Sequence, residues 1–212
     1  MKVMAFNARP DERAFFDHFG QSLNMDLELQ PGTLTVDNAG LTRGFDGISC
    51  TCDLPAPVLE KLAENGVRYA ALRTIGYDNV DLEAAKRLGI RVSHAGYSPY
   101  SVANYTVMLM LMCIRKAVYI MFRSHTADNS LGAAGSARGM EMQNLTVGVI
   151  GTGRIGKAVI QNLSGFGCEM LCYDVKENPE AAKLGRYVSL TELYNKSDII
   201  TLHTPLLDST RF

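Results

Sequence analysis

Apolar runs alternate with amphipathic stretches along the first hundred residues of the chain. The apolar runs predict strands at Val3–Phe6, Leu27–Leu29, around Ile48, Tyr69–Leu72 and Ile90–Val92. The amphipathic stretches predict helices that carry Ala14, Phe15, Phe16 and Phe19, then Val58, Leu59 and Leu62, then Leu82–Leu88. Strand–helix alternation at this pitch predicts an α/β fold, in which helices cover a parallel sheet.

A long apolar stretch follows the turn at Tyr97-Ser98-Pro99. The stretch Tyr100–Phe122 opens with polar Ser101 and Asn104 and then becomes apolar nearly all round, which predicts one helix buried between layers. Its most apolar part, Val107–Ile114, has about half the length that a membrane span needs, so a core helix is favoured over a membrane helix. Small and polar residues at 126–141, with Gly132, Gly135 and Gly139, predict a surface connection.

Beyond Leu145 the pattern becomes β-branched and then glycine-rich. Strands are predicted at Thr146–Ile150, Glu169–Tyr173, Tyr187–Val188 and Ile199–Leu202, with a helix at Lys157–Leu163. The strand Thr146–Ile150 leads directly into Gly151-Thr152-Gly153-Arg154-Ile155-Gly156. This second half of the chain therefore begins as a strand, a glycine-rich turn and a helix.

Composition narrows the range of partners and compartments. The 212 residues carry 21 basic and 22 acidic side chains, a balance that gives no electrostatic reason to expect nucleic acid or an anionic membrane as a partner. The amino terminus lacks the apolar core of a secretion signal. An odd count of five cysteines then favours free thiols in the cytoplasm, with Cys113 packed in the core and the others in strands, and their spacing predicts no metal site.

The G-x-G-x-x-G sequence has the context that dinucleotide binding requires. Gly151 permits the tight turn, Gly153 lets the backbone approach a pyrophosphate, and Gly156 lets the helix pack close to the strand. The helix amino terminus then offers free N–H groups to the phosphates. The alternative is a glycine-rich turn without a ligand.

An acidic residue, Asp174, ends the next predicted strand, 18 residues beyond Gly156. Its carboxylate would accept hydrogen bonds from both ribose hydroxyls and repel a 2′-phosphate, which favours NAD over NADP. The alternative is that Asp174 is only a helix cap. Lys176, two residues further on, could reduce the discrimination against NADP. At the end of the last predicted strand, His203 is interpreted as a wall of the nucleotide site rather than as an acid–base catalyst, because no orienting carboxylate accompanies it.

Several separate motifs together resemble the D-isomer-specific 2-hydroxyacid dehydrogenases, and within them the D-lactate dehydrogenase branch. They are Phe45–Ile48, Leu72–Asp81, Tyr97–Pro99, Val147–Gly156 and Ser197–Leu206, in the order that the family has. The resemblance covers essentially the whole chain. It departs from the commoner family form in a shorter loop at His94–Gly96 and in Tyr100, Asn104 and Tyr105.

The resemblance implies a fold of two α/β domains. Residues 1–99 would form a smaller, flavodoxin-like substrate domain that a far C-terminal segment completes. Residues 100–212 would form the first half of a Rossmann domain, a doubly wound parallel sheet that binds NAD. Family members are commonly homodimers, with the helix after Pro99 at the interface.

The resemblance also assigns roles to individual positions. Backbone N–H groups at Ile75 and Gly76 would hold the substrate carboxylate, although a plain strand-to-helix turn is the alternative. The backbone amides of Arg154 and Ile155 would meet the pyrophosphate. Thr204 and Pro205 match a turn that faces the nucleotide.

The family's catalytic Arg, Glu and His lie beyond the matched motifs, and Arg211 precedes the position of the family's Arg. We therefore expect the 212-residue chain to be an N-terminal fragment without turnover. The leading hypothesis is an NAD-dependent D-lactate dehydrogenase that reduces pyruvate. One alternative is a dehydrogenase of larger or branched 2-hydroxy acids, and another is an NAD(H)-sensing protein that resembles a corepressor.

Overall fold

The structure, a computed structural model, describes residues 1–126, 138–207 and 210. The chain divides into two compact units, Met1–Tyr97 and Ser98–Phe212. This division lies two residues before the domain boundary that the sequence predicts after Pro99. The predicted connection at 126–141 falls mostly outside the described residues, and so does Arg211.

The first unit is built on a parallel sheet of five strands within its described residues, in the order β2-β1-β3-β4-β5. The strands are β1 Lys2–Ala5, β2 Asp26–Leu29, β3 Gly47–Cys50, β4 Tyr69–Leu72 and β5 Arg91–Ser93. All neighbours pair in parallel, with Val3 opposite both Leu27 and Gly47. This strand order is that of flavodoxin-like folds, so the fold predicted for this region is confirmed.

Three α-helices accompany this sheet among the described residues: α1 Arg13–Ser22, α2 Ala56–Glu64 and α3 Leu82–Arg87. The buried core of the unit includes Leu59 and Leu62 of α2, and these pack in one cluster with Phe6 and Ile48 of the sheet region. Phe15 and Phe19 of α1 remain exposed. Together with the sheet, α1 lines an open apolar groove of about 470 Å³.

The described part of the second unit contains a parallel sheet in the order β8-β7-β6-β9. Its strands are β6 Thr146–Ile150, β7 Glu169–Tyr173, β8 Arg186–Tyr187 and β9 Ile199–Leu202. This is the order of the first four strands of a doubly wound Rossmann sheet, which confirms the predicted fold class. The chain order reverses between β6 and β9, and ligands bind at such a point in open α/β sheets.

Helices lie on both faces of the second sheet. Those of this unit are α4 Tyr100–Ile114, α5 Ala117–His125, α6 Arg154–Leu163, α7 Pro179–Ala182 and α8 Leu190–Lys196. Val147 and Val149 of β6 pack in one core with Val159 of α6, whereas Ile150 packs with Leu193 of α8. Neither α7 nor α8 is predicted by the pattern of apolar residues.

The single helix predicted for Tyr100–Phe122 is wrong, because two helices occupy this region. Lys116, between α4 and α5, has left-handed backbone angles with φ of +52°, and the two helices are bent by 64°. One face of α4 is buried through Ala103, Val107, Met110 and Ile114, but none of the described side chains of α5 is buried. The expectation of burial all round is therefore also wrong: only one stripe of α4 meets a core.

The expected core position of Cys113 is wrong for the same reason. Cys113 is exposed because it lies outside the stripe of α4 that packs on the second sheet, while Cys50, Cys52, Cys168 and Cys172 are buried free thiols. Cys50 and Cys172 lie in strands, as predicted, whereas Cys52 follows β3 and Cys168 precedes β7. Among the described residues, no single helix is long and apolar enough to cross a membrane, although α4 and α5 taken as a bent pair meet that length and composition.

Candidate functional site

The glycine-rich turn at the carboxyl end of β6 depends on close backbone packing. Gly151 has φ of +89°, a conformation that side chains with a Cβ rarely adopt. A Cβ on Gly151 would also lie 2.7 Å from the carbonyl oxygen of His203, in the turn after β9. Both the backbone angle and the close approach therefore require glycine here.

Gly156 and Gly153 differ in what surrounds them. A Cβ on Gly156 would overlap the carbonyl oxygen of Gly151, so glycine lets α6 begin directly against the turn. By contrast, no described atom lies within 4 Å of where a Cβ on Gly153 would be. Gly153 is the N-cap of α6, whose first turn contains Arg154 and Ile155. The amino terminus of a helix provides the setting that phosphates favour, since its dipole is positive there and its backbone N–H groups point outward.

Asp174 follows β7 and is bound to the glycine-rich turn. One carboxylate oxygen, Oδ2, accepts hydrogen bonds from the backbone N–H of Thr152 at 2.6 Å and from its hydroxyl at 3.1 Å. The other, Oδ1, accepts a longer bond of 3.3 Å from the backbone N–H of Lys176. Burial acts to raise the pKa of Asp174, but these hydrogen bonds outweigh it and hold the pKa below its ordinary value. The carboxylate is therefore ionised at neutral pH.

Sequence reasoning missed three residues around Asp174, namely the side chain of Thr152, Asn178 and Tyr187. The Tyr187 hydroxyl lies 2.6 Å from Oγ1 of Thr152, and the backbone N–H of Asn178 donates to the Tyr187 hydroxyl at 2.8 Å. The Asn178-Pro179 pair carries a sequence signal for a helix start, since Asn is a preferred N-cap and Pro a preferred first residue. Nothing in the sequence linked Tyr187 to Asp174, because the two meet only through tertiary structure.

The turn after β9 packs against the glycine-rich turn. The backbone N–H of His203 donates to the carbonyl of Ile150 at 2.8 Å, and a ring nitrogen of His203 lies 2.9 Å from Oγ1 of Thr201. Burial lowers the pKa of His203, so its ring is neutral at pH 7. Thr204 also lies beside the turn, since its Cγ2 is 3.0 Å from where a Cβ on Gly151 would be. Exposed Pro205 follows Thr204.

Ile75 and Gly76 lie in the first unit, in the loop after β4. The hydroxyl of Thr74 donates to the carbonyl of Gly76 at 2.8 Å, and a Cβ on Gly76 would lie 3.1 Å from Oδ1 of Asp78. Gly76 itself is exposed. The loop is thus braced by its own side chains and leaves the Gly76 backbone accessible.

Arg73, which sequence reasoning also missed, anchors the start of this loop. Its Nη2 donates to the carbonyls of Phe6 and Asn7, each at 2.9 Å, and its Nε lies 3.4 Å from a carboxylate oxygen of Glu12. The side chain is mostly buried. Arg73 therefore ties the carboxyl end of β4 to the residues that follow β1.

The second unit brings the predicted nucleotide residues together at one sheet edge. Gly151, Asp174 and Thr204 follow β6, β7 and β9, and these three strands pair in parallel around β6. The arrangement is compatible with the ADP half of NAD, because the space beside Gly153 at the start of α6 is open and the ionised acceptor at Asp174 would suit a ribose diol. A glycine-rich turn of this kind, at the switch point of such a sheet, defines a dinucleotide-binding Rossmann unit.

Comparison with known proteins assigns this unit to a family. Residues 107–212 match the profile described as "D-isomer specific 2-hydroxyacid dehydrogenase, NAD binding domain". An aromatic 2-oxoacid reductase from Clostridium sporogenes is 43% identical over 214 residues, and a D-lactate dehydrogenase from Lactiplantibacillus pentosus is 41% identical over 212 residues. Each alignment covers 98% of this chain and 63% of the relative.

A solved structure agrees with this assignment. The apo-structure of D-lactate dehydrogenase from Escherichia coli superimposes with a TM-score of 0.85 at 34% identity, over 99% of this chain and 66% of that chain. The chain therefore belongs to the D-isomer-specific 2-hydroxyacid dehydrogenase family, a family of NAD-dependent oxidoreductases that act on CH–OH groups. This confirms the resemblance found in the sequence. The chain spans 63% of the length of these two curated relatives.

Proposed function

We propose that this chain is part of an NAD-dependent D-2-hydroxyacid dehydrogenase, and that its substrate is pyruvate, reduced to D-lactate. The observation that carries the proposal is the ionised Asp174 held against the glycine-rich turn, in a chain of this family. When bound, NADH supplies the hydride for reduction of the 2-oxo acid. The residues of this chain supply the binding surfaces for the cofactor and for the acid.

The proposed nucleotide site uses one end of the second sheet. Backbone N–H groups of Gly153, Arg154 and Ile155 bind the pyrophosphate, because they lie at the amino terminus of α6, where the space beside Gly153 is open. The carboxylate of Asp174 accepts hydrogen bonds from the ribose hydroxyls. Thr204 and Pro205 border the nucleotide, since their turn packs against Gly151.

The proposed substrate site uses the loop after β4. Backbone N–H groups at Ile75 and Gly76 bind the carboxylate of the acid, which requires no charged side chain in the loop. The absence of a Cβ at Gly76 allows an anion to approach the backbone closely. In this proposal the first unit is the substrate domain, and the second carries the first half of the NAD-binding domain.

A larger 2-oxo acid is a second candidate substrate. It is favoured by the relative from Clostridium sporogenes, at 43% identity, which is named an aromatic 2-oxoacid reductase. The two candidates differ in the size of the group beside the carbonyl carbon. A size series of substrates therefore separates them.

The experiment is an NADH-oxidation assay on the full product of the gene that encodes this chain. Pyruvate, 2-oxobutyrate, 2-oxoisocaproate and phenylpyruvate form the series, and kcat/KM is measured for each. The proposal expects the largest kcat/KM with pyruvate, whereas a maximum with phenylpyruvate supports the aromatic alternative. NADH binding without turnover of any acid would support the NAD(H)-sensing alternative and contradict both.

We further propose that the whole protein is a cytoplasmic homodimer. Exposed apolar side chains on α4 and α5 support an interface there, among them Leu109, Met121 and Phe122. Exposed apolar groups on one surface commonly mark an interaction site. Analytical ultracentrifugation of the gene product tests this, and a monomer at all concentrations would contradict it.

A further inference from the structure

A one-way chain of hydrogen bonds runs from the protein backbone to Asp174. The backbone N–H of Asn178 donates to the Tyr187 hydroxyl at 2.8 Å, and that hydroxyl lies 2.6 Å from Oγ1 of Thr152. Oγ1 of Thr152 in turn lies 3.1 Å from Oδ2 of Asp174. These residues come from the glycine-rich turn, the loop between β7 and α7, and β8.

The direction of every bond in this series is fixed by its last acceptor. An ionised carboxylate can only accept, so the Thr152 hydroxyl directs its single hydrogen to Asp174. The oxygen of Thr152 must then accept the hydrogen of the Tyr187 hydroxyl, and the Tyr187 oxygen accepts from the backbone N–H of Asn178. The series therefore ends consistently on charged Asp174.

Further hydrogen bonds hold Asn178 and Thr152, two members of this hydrogen-bond series, in place. The side-chain N–H of Asn178 donates to the carbonyl of Thr152 at 2.9 Å, and its side-chain oxygen accepts from the backbone N–H of Glu180 at 3.0 Å. Thr152 is only 1% exposed. A partly buried network in which each hydroxyl both accepts and donates restricts the orientation of its members.

The network leaves one carboxylate oxygen of Asp174 available. Oδ2 accepts both the N–H and the hydroxyl of Thr152, while Oδ1 accepts a longer bond of 3.3 Å from the N–H of Lys176. A carboxylate has about four acceptor sites, two on each oxygen. Oδ1 can therefore accept a ribose hydroxyl without any loss of the bonds that hold the side chain.

We infer that Tyr187 is a positioning residue for cofactor choice: through Thr152 it holds Asp174 in one orientation, and so favours a free ribose diol over a 2′-phosphate. This inference rests on the proposed nucleotide role of Asp174. Tyr187 makes no contact with the cofactor in this proposal. Its effect reaches the ribose only through the Thr152 hydroxyl.

The test measures binding of two probes by isothermal titration calorimetry, ADP-ribose and its 2′-phosphate. The 2′-phosphate is the one difference between them. Tyr187→Phe is expected to weaken ADP-ribose binding about 3- to 10-fold, as for one lost hydrogen bond in a network, and to leave binding of the 2′-phosphate unchanged or tighter. The matched control is Tyr194→Phe, at a side chain that is 56% exposed on α8, and it should leave both affinities unchanged.

Two further variants separate positioning from a general structural role. Thr152→Val removes the last hydroxyl of the chain, so the double variant with Tyr187→Phe should bind ADP-ribose no more weakly than Thr152→Val alone. In an Asp174→Ala background, Tyr187→Phe should have no further effect. If Tyr187→Phe does not fold, Thr152→Val by itself tests whether these hydrogen bonds to Asp174 affect ADP-ribose binding.

Each contrary outcome has a distinct meaning. If the unaltered chain does not bind ADP-ribose, the nucleotide role fails, and the inference about Tyr187 fails with it. If the unaltered chain binds ADP-ribose selectively but Tyr187→Phe behaves like Tyr194→Phe, only the inference is overturned. An equal loss of affinity for both probes, or a loss that persists without Asp174, would also overturn it.

Discussion

Asp174 combines an ionised carboxylate with a fixed position, and both come from bonds to its neighbours. The N–H and hydroxyl of Thr152 bind one carboxylate oxygen and lower the pKa of the group against the opposing effect of burial. A carboxylate at the end of the second strand of a Rossmann sheet is the group that meets the adenosine ribose. In the proposed nucleotide site, Asp174 is therefore the side chain that meets the ribose directly, and Thr152 and Tyr187 act on cofactor choice only through it.

Replacement of Asp174 by Ala should weaken binding of ADP-ribose at least about tenfold, because hydrogen bonds to a charged group are lost. Binding of the 2′-phosphate analogue should be spared, since the repelling charge is removed as well. Titration calorimetry measures both affinities. Asp198→Ala is the matched control, because Asp198 also binds a backbone N–H, that of Thr146, at the amino end of β6. Unchanged ADP-ribose affinity in Asp174→Ala would contradict the ribose role.

We expect the half-buried ring of His203 to make the free energy of unfolding depend on pH. Burial lowers its pKa in the folded chain below the value of about 6.5 expected when it is unfolded. The unfolded chain therefore binds more protons between these two values. The contribution of His203 to stability is complete above about pH 6.5 and is lost as the pH falls towards the pKa of the folded chain.

Urea unfolding at pH 7.5 and pH 5.5 measures this effect. The free energy of unfolding should fall between the two values in the unaltered chain, and it should fall less in His203→Asn. His18→Asn, at an exposed histidine, should behave like the unaltered chain. An equal fall in all three proteins would show that other groups cause the pH dependence.

At the level of elements, the break between α4 and α5 is a feature that the pattern of apolar residues does not predict. The run from Tyr100 to Phe122 contains no proline or glycine, so its sequence predicts one continuous helix. Instead Lys116 adopts left-handed angles, which cost about 1–2 kcal/mol for a residue with a side chain. The surrounding structure imposes this conformation on Lys116, and no local sequence signal predicts it.

Lys116→Gly should therefore raise the free energy of unfolding by about 0.5–1 kcal/mol, since glycine adopts left-handed angles without this penalty. Asn24 provides the control, because its φ is +51° and asparagine tolerates that region well. Asn24→Gly should change the free energy of unfolding by less than Lys116→Gly. Chemical unfolding followed by circular dichroism measures both, and a destabilised Lys116→Gly would contradict the argument.

Other elements were predictable because their sequence signals are local. The strands Tyr69–Leu72, Glu169–Tyr173 and Ile199–Leu202 have the predicted bounds, since each is a compact apolar or β-branched run. The glycine-rich turn and Asp174 were likewise evident from spacing. Tyr187 was not, because its role depends on parallel pairing of β7 with β8, which places it opposite Cys172. Residues whose partners are set by strand pairing leave no pattern along the chain.

At the scale of the whole molecule, each unit has a core of its own. Leu59 belongs to the core cluster of the first unit, and Leu163 belongs to that of the second. Both side chains are fully buried. Loss of either should therefore destabilise the unit that contains it.

Leu59→Ala should lower the free energy of unfolding of the first unit by about 2–5 kcal/mol, as expected for a buried leucine. Hydrogen exchange measured by mass spectrometry should show faster exchange in peptides from residues 1–97 and unchanged exchange in β6 and α6. Leu163→Ala is the reciprocal control and should produce the opposite pattern. Equal acceleration throughout the chain in both variants would contradict separate cores.

The apolar groove beside α1 has a practical consequence for fluorescence measurements. Environment-sensitive dyes emit on exposed apolar surface, so the folded chain should already give a strong signal before any heating. Phe15→Ser with Phe19→Ser should reduce that initial emission, because both rings line the groove, and unchanged emission would place the dye elsewhere. Melting curves read with such a dye would start from a high baseline. With no tryptophan in the sequence, circular dichroism and tyrosine emission are the more faithful reporters of unfolding.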